Sequence, residues 1–103
     1  MIRTFVAEPT TLTREGLVAL LSREHDIELI AAVQRAEDVV SAARALKPDV
    51  VLLAAAFPGH DGIDIARALR AALPECRCAI LSSGRRLRSP AGHRGTGPRI
   101  SRP

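Results

Sequence analysis

Residues 50–62 read "VVLLAAAFPGHDG", and the layout of this stretch decides the fold. Residues 49–54 are almost continuously apolar, as in a parallel strand covered on both faces rather than the alternating pattern of a half-solvated one. The Pro58-Gly59-His60-Asp61-Gly62 segment then breaks the strand, with Asp61 suited to a turn or to a helix cap. In a parallel α/β fold, ligands gather beyond the carboxyl ends of the strands. Here that position carries Ala54, a methyl group.

Working outward, residues 2–7 (IRTFVA) predict a buried strand ended by Glu8-Pro9. Thr10 and Thr11 can cap a helix over residues 12–24, with Glu15 in its first turn and Leu17, Leu20 and Leu21 on one face. Residues 27–33 (IELIAAV) read as a second strand. Residues 36–46 read as a second helix, with Val39, Val40, Ala43 and Leu46 at helical spacing and Lys47-Pro48 as its stop. After Gly62, the positions Ile63, Ala66, Leu69, Ala72 and Leu73 predict a third helix, and residues 76–81 (CRCAIL) a fourth strand. Right-handed crossovers with short loops turn this βαβαβαβ order into an α/β fold with an open, doubly wound parallel sheet.

The totals narrow the field. With 103 residues, 47% of them hydrophobic, the chain has room for one core and not for two. Phe5 and Phe57 are the only aromatics, so no platform exists for stacking bases or sugars. Residues 1–4 lack a secretory layout, and the longest apolar run, residues 50–57, is too short for a membrane span, which points to a cytoplasmic chain that avoids membranes. Cys76 and Cys78 are too close for an unstrained disulfide and too few for a structural zinc site, so two reduced cysteines are expected. His25, His60 and His93 are scattered without metal-ligand spacing. No glycine-rich phosphate loop and no nucleophile paired with a base is present, so neither enzymatic activity, nor a metal, nor a cofactor is expected.

Beyond the strand ends the sequence delivers Glu8-Pro9, Ala54 and Ser82-Ser83. "TFVAEPTTLTREGLVALLSREHDIELIAAV", "KPDVVLLAAAFPGHDGIDIARALR" and "CAILSSG" together resemble the receiver domain of bacterial two-component response regulators. The "LTREGLVALL" segment is most similar to regulators carrying a LuxR-type helix-turn-helix. The resemblance covers residues 1–84 and implies a flavodoxin-like receiver fold, here truncated after the fourth strand.

In that family the third strand ends in an aspartate that accepts a phosphoryl group. Aligning Pro58, Gly59, Asp61 and Gly62 with the family's turn places Ala54 at the acceptor position. Of the two acids that close the family's first strand, Glu8 remains and Pro9 replaces the second, which holds Mg²⁺. Ser82 corresponds to the hydroxyl switch residue, and the lysine that pairs with the phosphoryl group has no equivalent. The resemblance therefore implies a degenerate receiver: a methyl group is no nucleophile, and Mg²⁺ wants an octahedral oxygen set anchored by carboxylates.

Charge divides the chain. Up to Gly84 nine Lys/Arg face eleven Asp/Glu, a balance of −2; from Arg85 onward six arginines and no acid give +6. Residues 85–103 hold three Gly and three Pro and no apolar periodicity, the composition of a basic, disordered tail. So abrupt a change resembles a shifted reading frame in GC-rich DNA. Family receivers continue with a helix, a strand and a last helix. A helix burying four aliphatic side chains contributes roughly 6–12 kcal/mol, so its absence predicts uncovered apolar sheet, an open edge on the fourth strand, and marginal stability with homodimerisation or aggregation.

Two functions compete. The first is a receiver-like module acting only by contact with other proteins, a histidine kinase or another receiver. The second is non-specific binding of nucleic acid or another polyanion through Arg85, Arg86, Arg88, Arg94, Arg99 and Arg102. With no recognition helix, aromatic or zinc motif beside them, a solvated basic tail is the simpler reading of those arginines.

Overall fold

The computed structural model describes residues 1–81 and 100–101. Strand β1 (Ile2–Ala7) leads through α1 (Thr11–Leu21) to β2 (Ile27–Val33), then through α2 (Ala36–Leu46) to β3 (Val50–Ala54). A small hairpin follows, β4 (Ala56–Phe57) with β5 (His60–Asp61), then α3 (Gly62–Ala72), β6 (Arg77–Leu81) and β7 (Ile100–Ser101). The main sheet has the order β2-β1-β3-β6-β7. Its first four strands are parallel and doubly wound, with the switch point between β1 and β3.

Parallel register fixes which side chains share a face. Thr4 lies beside Val50 and Val6 beside Leu52, whereas Phe5 lies beside Val51, Ala7 beside Leu53, and Val51 beside Cys78. The second set meets α2 and α3: Phe5, Ala7, Val51, Leu53 and Cys78 form one core with Val39 and Ala43 of α2 and Ile65, Ala66 and Leu69 of α3. On the opposite face α1 packs against β1 and β2. There Thr4 and Val6 are buried, while Leu52, Ala79 and Leu81 are only half-buried.

Local chemistry sets the element ends. Helix α2 stops at Lys47, which adopts a left-handed conformation (φ 49°) ahead of Pro48. The Arg3 guanidinium donates to the Lys47 carbonyl at 2.6 Å. Asp49, just before β3, accepts from the Arg3 N–H through Oδ2 at 2.8 Å and donates its own N–H to the Arg3 carbonyl at 2.8 Å, tying β3 to β1. In the hairpin, Pro58 and Gly59 (φ 75°) fill the two central positions of a type II turn, where only glycine is relaxed at the second. Asp61 caps α3, its Oδ1 accepting from the Ile63 N–H at 2.9 Å. Gly62 is obligatory for a different reason: a Cβ there would stand 2.8 Å from the Ala55 carbonyl oxygen and closer still to that of Ala54.

Four expectations need correction. Helix α1 ends at Leu21 rather than at residue 24. Neither Thr10 nor Thr11 provides a side-chain cap and Glu15 lies beyond the first turn; Glu8 instead accepts from the Thr10 N–H at 2.9 Å. Leu20 is 60% exposed and Ile63 50% exposed, because α1 buries no residue and α3 turns Ile65 inward. The fourth strand of the parallel set, β6, does not end the sheet: Ile100 and Ser101 pair antiparallel with Leu81 and Ile80, so those two residues of the expected disordered tail are a strand. The rest of residues 85–103 lies outside the described residues. Among the described residues no helix is long and apolar enough to cross a membrane.

Candidate functional site

The carboxyl ends of β1, β3 and β6 meet in an open cleft of about 520 Å³, lined by Glu8, Thr10, Thr13, Leu17, Ala54, Ala55, Ala56 and Leu81. Ala54 is the last residue of β3 and 7% exposed. It pairs with Leu81, whose carbonyl accepts from the Ala55 N–H at 3.1 Å. The strand that delivers Ala54 is held by β1 on one side and β6 on the other, so the position is fixed by backbone pairing and not by its side chain.

Glu8 is the one carboxylate among the residues that line this cleft. It is half-buried and partly committed, since its Oε2 accepts from the Thr10 N–H and its own N–H donates to the Val33 carbonyl at 3.0 Å. Sequence reading missed the group that holds the loop around it. Arg14, one turn into α1, reaches back so that Nη1 donates to the Glu8 carbonyl at 2.9 Å and to the Pro9 carbonyl at 3.4 Å. Its Nη2 donates to Thr11 Oγ1 at 3.3 Å. A permanent cation thus grips the β1–α1 loop through main-chain oxygens. The only sequence signal is an arginine placed one helical turn beyond a proline-ended strand.

The structure separates the other predicted positions. Pro58 and Gly59 form the hairpin turn, and Gly62 opens α3. Asp61 lines a second, shallow depression with Ala55, Ala56, Gly59, His60 and Asp64, so it joins the turn and the helix cap rather than the Glu8 cleft. Ser82 lies outside the described residues, as do Arg85, Arg86, Arg88, Arg94, Arg99 and Arg102. The chain's single lysine, Lys47, sits at the opposite, amino-terminal end of β3.

Two thiols remain. Cys78 is buried in the α2–α3 core and Cys76 is half-buried, and both are free. Burial pushes the Cys78 thiol up to about 11, with Cys76 adding to the effect. Burial also raises Cys76, as does nearby Asp49. At the start of α2, the Glu37 carboxyl lies below its ordinary range, chiefly through a main-chain hydrogen bond; desolvation opposes this, and attraction to Arg35 and then His60 adds to it. It stands in solvent, away from the Ala54 cleft. Among the described residues no three His, Cys, Asp or Glu side chains converge as a metal site.

Comparison with known proteins matches residues 4–90 to the response regulator receiver domain family. The DNA-binding transcriptional activator DevR/DosR of Mycobacterium tuberculosis is 29% identical over 83 residues, covering 81% of this chain and 38% of that protein. The response regulator GacA of Pseudomonas aeruginosa is 29% identical over 82 residues, covering 80% of this chain and 38% of its own. The chain therefore spans less than two fifths of the length of these relatives. Among solved structures, the signal receiver domain of a response regulator, NarL, from Mycobacterium tuberculosis aligns with a TM-score of 0.75 at 31% identity, covering 87% of this chain and 70% of that one. A LuxR-family response regulator from Aurantimonas shares the fold at a TM-score of 0.77 and 24% identity, covering 82% of this chain and 61% of that one.

Proposed function

The chain belongs to the response regulator receiver domain family of two-component systems, and from that premise we propose that it is a degenerate receiver which does not accept a phosphoryl group and acts through protein contact alone. The observation that carries this reading is Ala54, nearly buried at the end of β3 and facing the cleft that Glu8 borders. Phosphoryl transfer to a receiver needs a carboxylate nucleophile at that strand end, and a methyl group has no lone pair to offer. Thr10 and Thr13 bring hydroxyls to the cleft, but among the described residues no histidine or second carboxylate lines it to take their protons.

The Mg²⁺ that the family's chemistry uses does not suit these residues. Magnesium ions are held by carboxylates in a near-octahedral oxygen set. Of the cleft's side chains Glu8 alone is a carboxylate, with Oε2 engaged by the Thr10 N–H, and Pro9 stands where a second acid would. The loop's electrostatics are supplied instead by the Arg14 guanidinium, a charge that neither leaves nor exchanges. With clustered acids gone, the like-charge repulsion that would make the pocket sensitive to a cation is gone too. The module is accordingly fixed in one state, offering its surface to a histidine kinase or another receiver without switching.

The test is direct. Incubation of the intact chain with acetyl phosphate and Mg²⁺ leaves its mass unchanged, whereas the double variant Pro9→Asp with Ala54→Asp gains the mass of one phosphoryl group. Labelling of the unaltered chain overturns the proposal.

The charge division favours one further reading, in which six arginines from Arg85 to Arg102 bind a polyanion. For six neutralised phosphates the logarithm of DNA affinity falls with the logarithm of salt at a slope of about −5. Replacing all six by glutamine then abolishes retention on DNA; retention that survives the replacement removes this reading.

A further inference from the structure

The chain carries two cysteines, and the fold sets both against one core. Cys78 belongs to β6 and is 4% exposed in the α2–α3 core, and Cys76, two residues earlier, packs half-buried against the same cluster. Pairing with β3 begins at the residue between them, where the Arg77 N–H donates to the Asp49 carbonyl at 3.0 Å. Side chains two apart on a strand share a face, so Arg77 turns away while the two thiols stand side by side. The Cys76 Sγ lies 3.6 Å from the Arg77 carbonyl oxygen, in the peptide that joins Arg77 to Cys78. That thiol therefore leans along the strand toward its neighbour. Charge on Cys76 is felt at Cys78, where it adds to the rise that burial causes.

We propose that Cys76 and Cys78 form a two-thiolate site for one soft monovalent metal ion, Cu(I), at the amino-terminal end of β6. Spacing decides between an ion and a disulfide. A disulfide draws its Cβ atoms to about 3.8 Å, whereas two rises of a strand separate same-face positions by about 6.6 Å. With thiolate–metal bonds of about 2.3 Å, two sulfurs across one ion stand about 4.6 Å apart, a span that side chains leaning toward each other reach without moving the strand. Ligand count decides which ion. Thiolates select Cu(I), zinc and iron–sulfur clusters, but all-thiolate zinc and cluster sites take four cysteines, and this chain has two. Among the described residues no third His, Cys, Asp or Glu converges with them.

The ion has a way in. Cys76 lines a cleft of about 410 Å³ between the loop that precedes β3 and the loop that precedes β6, together with Lys47, Asp49, Leu73 and Glu75. Binding breaks two S–H bonds and forms two S–Cu bonds; both protons leave to solvent and no electron moves. The complex carries one negative charge, and Lys47 sets a cation on the wall of the same cleft. Asp49 and Glu75 offer hard oxygen ligands, which suit magnesium or calcium rather than Cu(I). Burial keeps the Cys78 thiol protonated in the metal-free chain, and the ion overcomes this by displacing the proton. The site lies at the opposite end of the strands from Ala54, and neither cysteine borders the Ala54 cleft, so it does not depend on phosphoryl chemistry.

Titration of the reduced full chain into the Cu(I)–bicinchoninate complex, with oxygen excluded, tests it. One Cu(I) leaves the chelator per chain, whose visible absorbance falls, and X-ray absorption of the loaded chain shows two sulfur neighbours per copper. Losing an outer-shell partner costs a metal site about 10–100-fold in affinity, so Cys76→Ser and Cys78→Ala, which each remove a ligand, lower affinity by at least about 100-fold. Cu(I) also slows alkylation of Cys76 by iodoacetamide and raises the urea midpoint of the full chain, with no rise in Cys76→Ser. The proposal is overturned if the full chain leaves the chelator's absorbance unchanged, or if either cysteine variant with native circular dichroism withdraws copper as tightly as the full chain. It is equally overturned if the loaded chain shows fewer than two sulfur neighbours, a result that needs no variant to fold, or if Zn(II) is taken up in preference to Cu(I).

Discussion

From Val50 to Leu53 of β3 the two faces of the sheet diverge at every step. Val51 and Leu53 are wholly excluded from solvent, while Val50 and Leu52, one residue away, are half-buried. The sequence "VVLLA" offers no chemical reason for the difference. It lies in the covering: α2 and α3 together close one face over β1, β3 and β6, whereas α1 spans only β1 and β2 on the other. Apolar character alone does not bury a side chain; an element must come to it. The same division separates Ile80 and Cys78, which look toward α3, from Ala79 and Leu81, which look away.

A matched pair of truncations breaks or sharpens this contrast with the largest effect. Leu53→Ala opens a cavity in a closed core and costs about 2–5 kcal/mol of unfolding free energy. Leu52→Ala removes the same atoms from a half-covered site and costs about 0.8–1.5 kcal/mol, half the transfer value of a fully buried leucine. Urea unfolding of both variants measures the difference. Equal losses would mean that α1, or something else, covers Leu52 as completely as α2 and α3 cover Leu53.

A smaller effect follows from the thiol in the closed face. The Cys78 thiol is held up to about 11, against about 9 for an unburied one. Between those values the unfolded chain releases the proton and the folded chain keeps it, so the unfolded state binds fewer protons. Stability from this group is complete below about pH 9 and declines as pH rises toward 11. In Cys78→Ala that decline disappears, leaving the residual slope of other groups. In the native chain Cys78 reacts with iodoacetamide at least about tenfold more slowly than Cys76, since burial withholds both access and thiolate. Comparable rates would show that the α2–α3 core opens at Cys78 as readily as at its half-buried margin, where Cys76 lies.

How much of this was legible follows from range. The order of strands and helices came from spacing within a dozen residues, and so did the turn at Pro58-Gly59 and the cap at Asp61. The position of Ala54 at a strand end was equally local. What depended on contacts distant along the chain did not show. The unbroken apolar run "VVLLA" predicts a strand covered on both faces, yet Val50 and Leu52 are only half-buried. Arg14 in "LTREG" looks like a solvated helix residue, yet it holds the carbonyls of Glu8 and Pro9. Ile100 and Ser101 stand between arginines with no strand period, and pair with β6 only because its edge awaits hydrogen-bond partners.

The weakest expected effect bears most directly on α1. Leu12 is 82% exposed and Leu20 60% exposed, and no residue of α1 is fully buried. Were α1 an ordinary amphipathic helix with its leucines facing the sheet, Leu20→Ala would cost several kcal/mol, as at Leu53. With the side chain already in solvent, little surface returns to water and no cavity forms. The change also gains slightly in helix propensity, because alanine is the better helix former. The net effect is within about 0.5 kcal/mol of zero, read from thermal unfolding at neutral pH. A loss above about 1.5 kcal/mol would place Leu20 under a covering element, and the asymmetry between the faces would then belong to β3 and β6 alone.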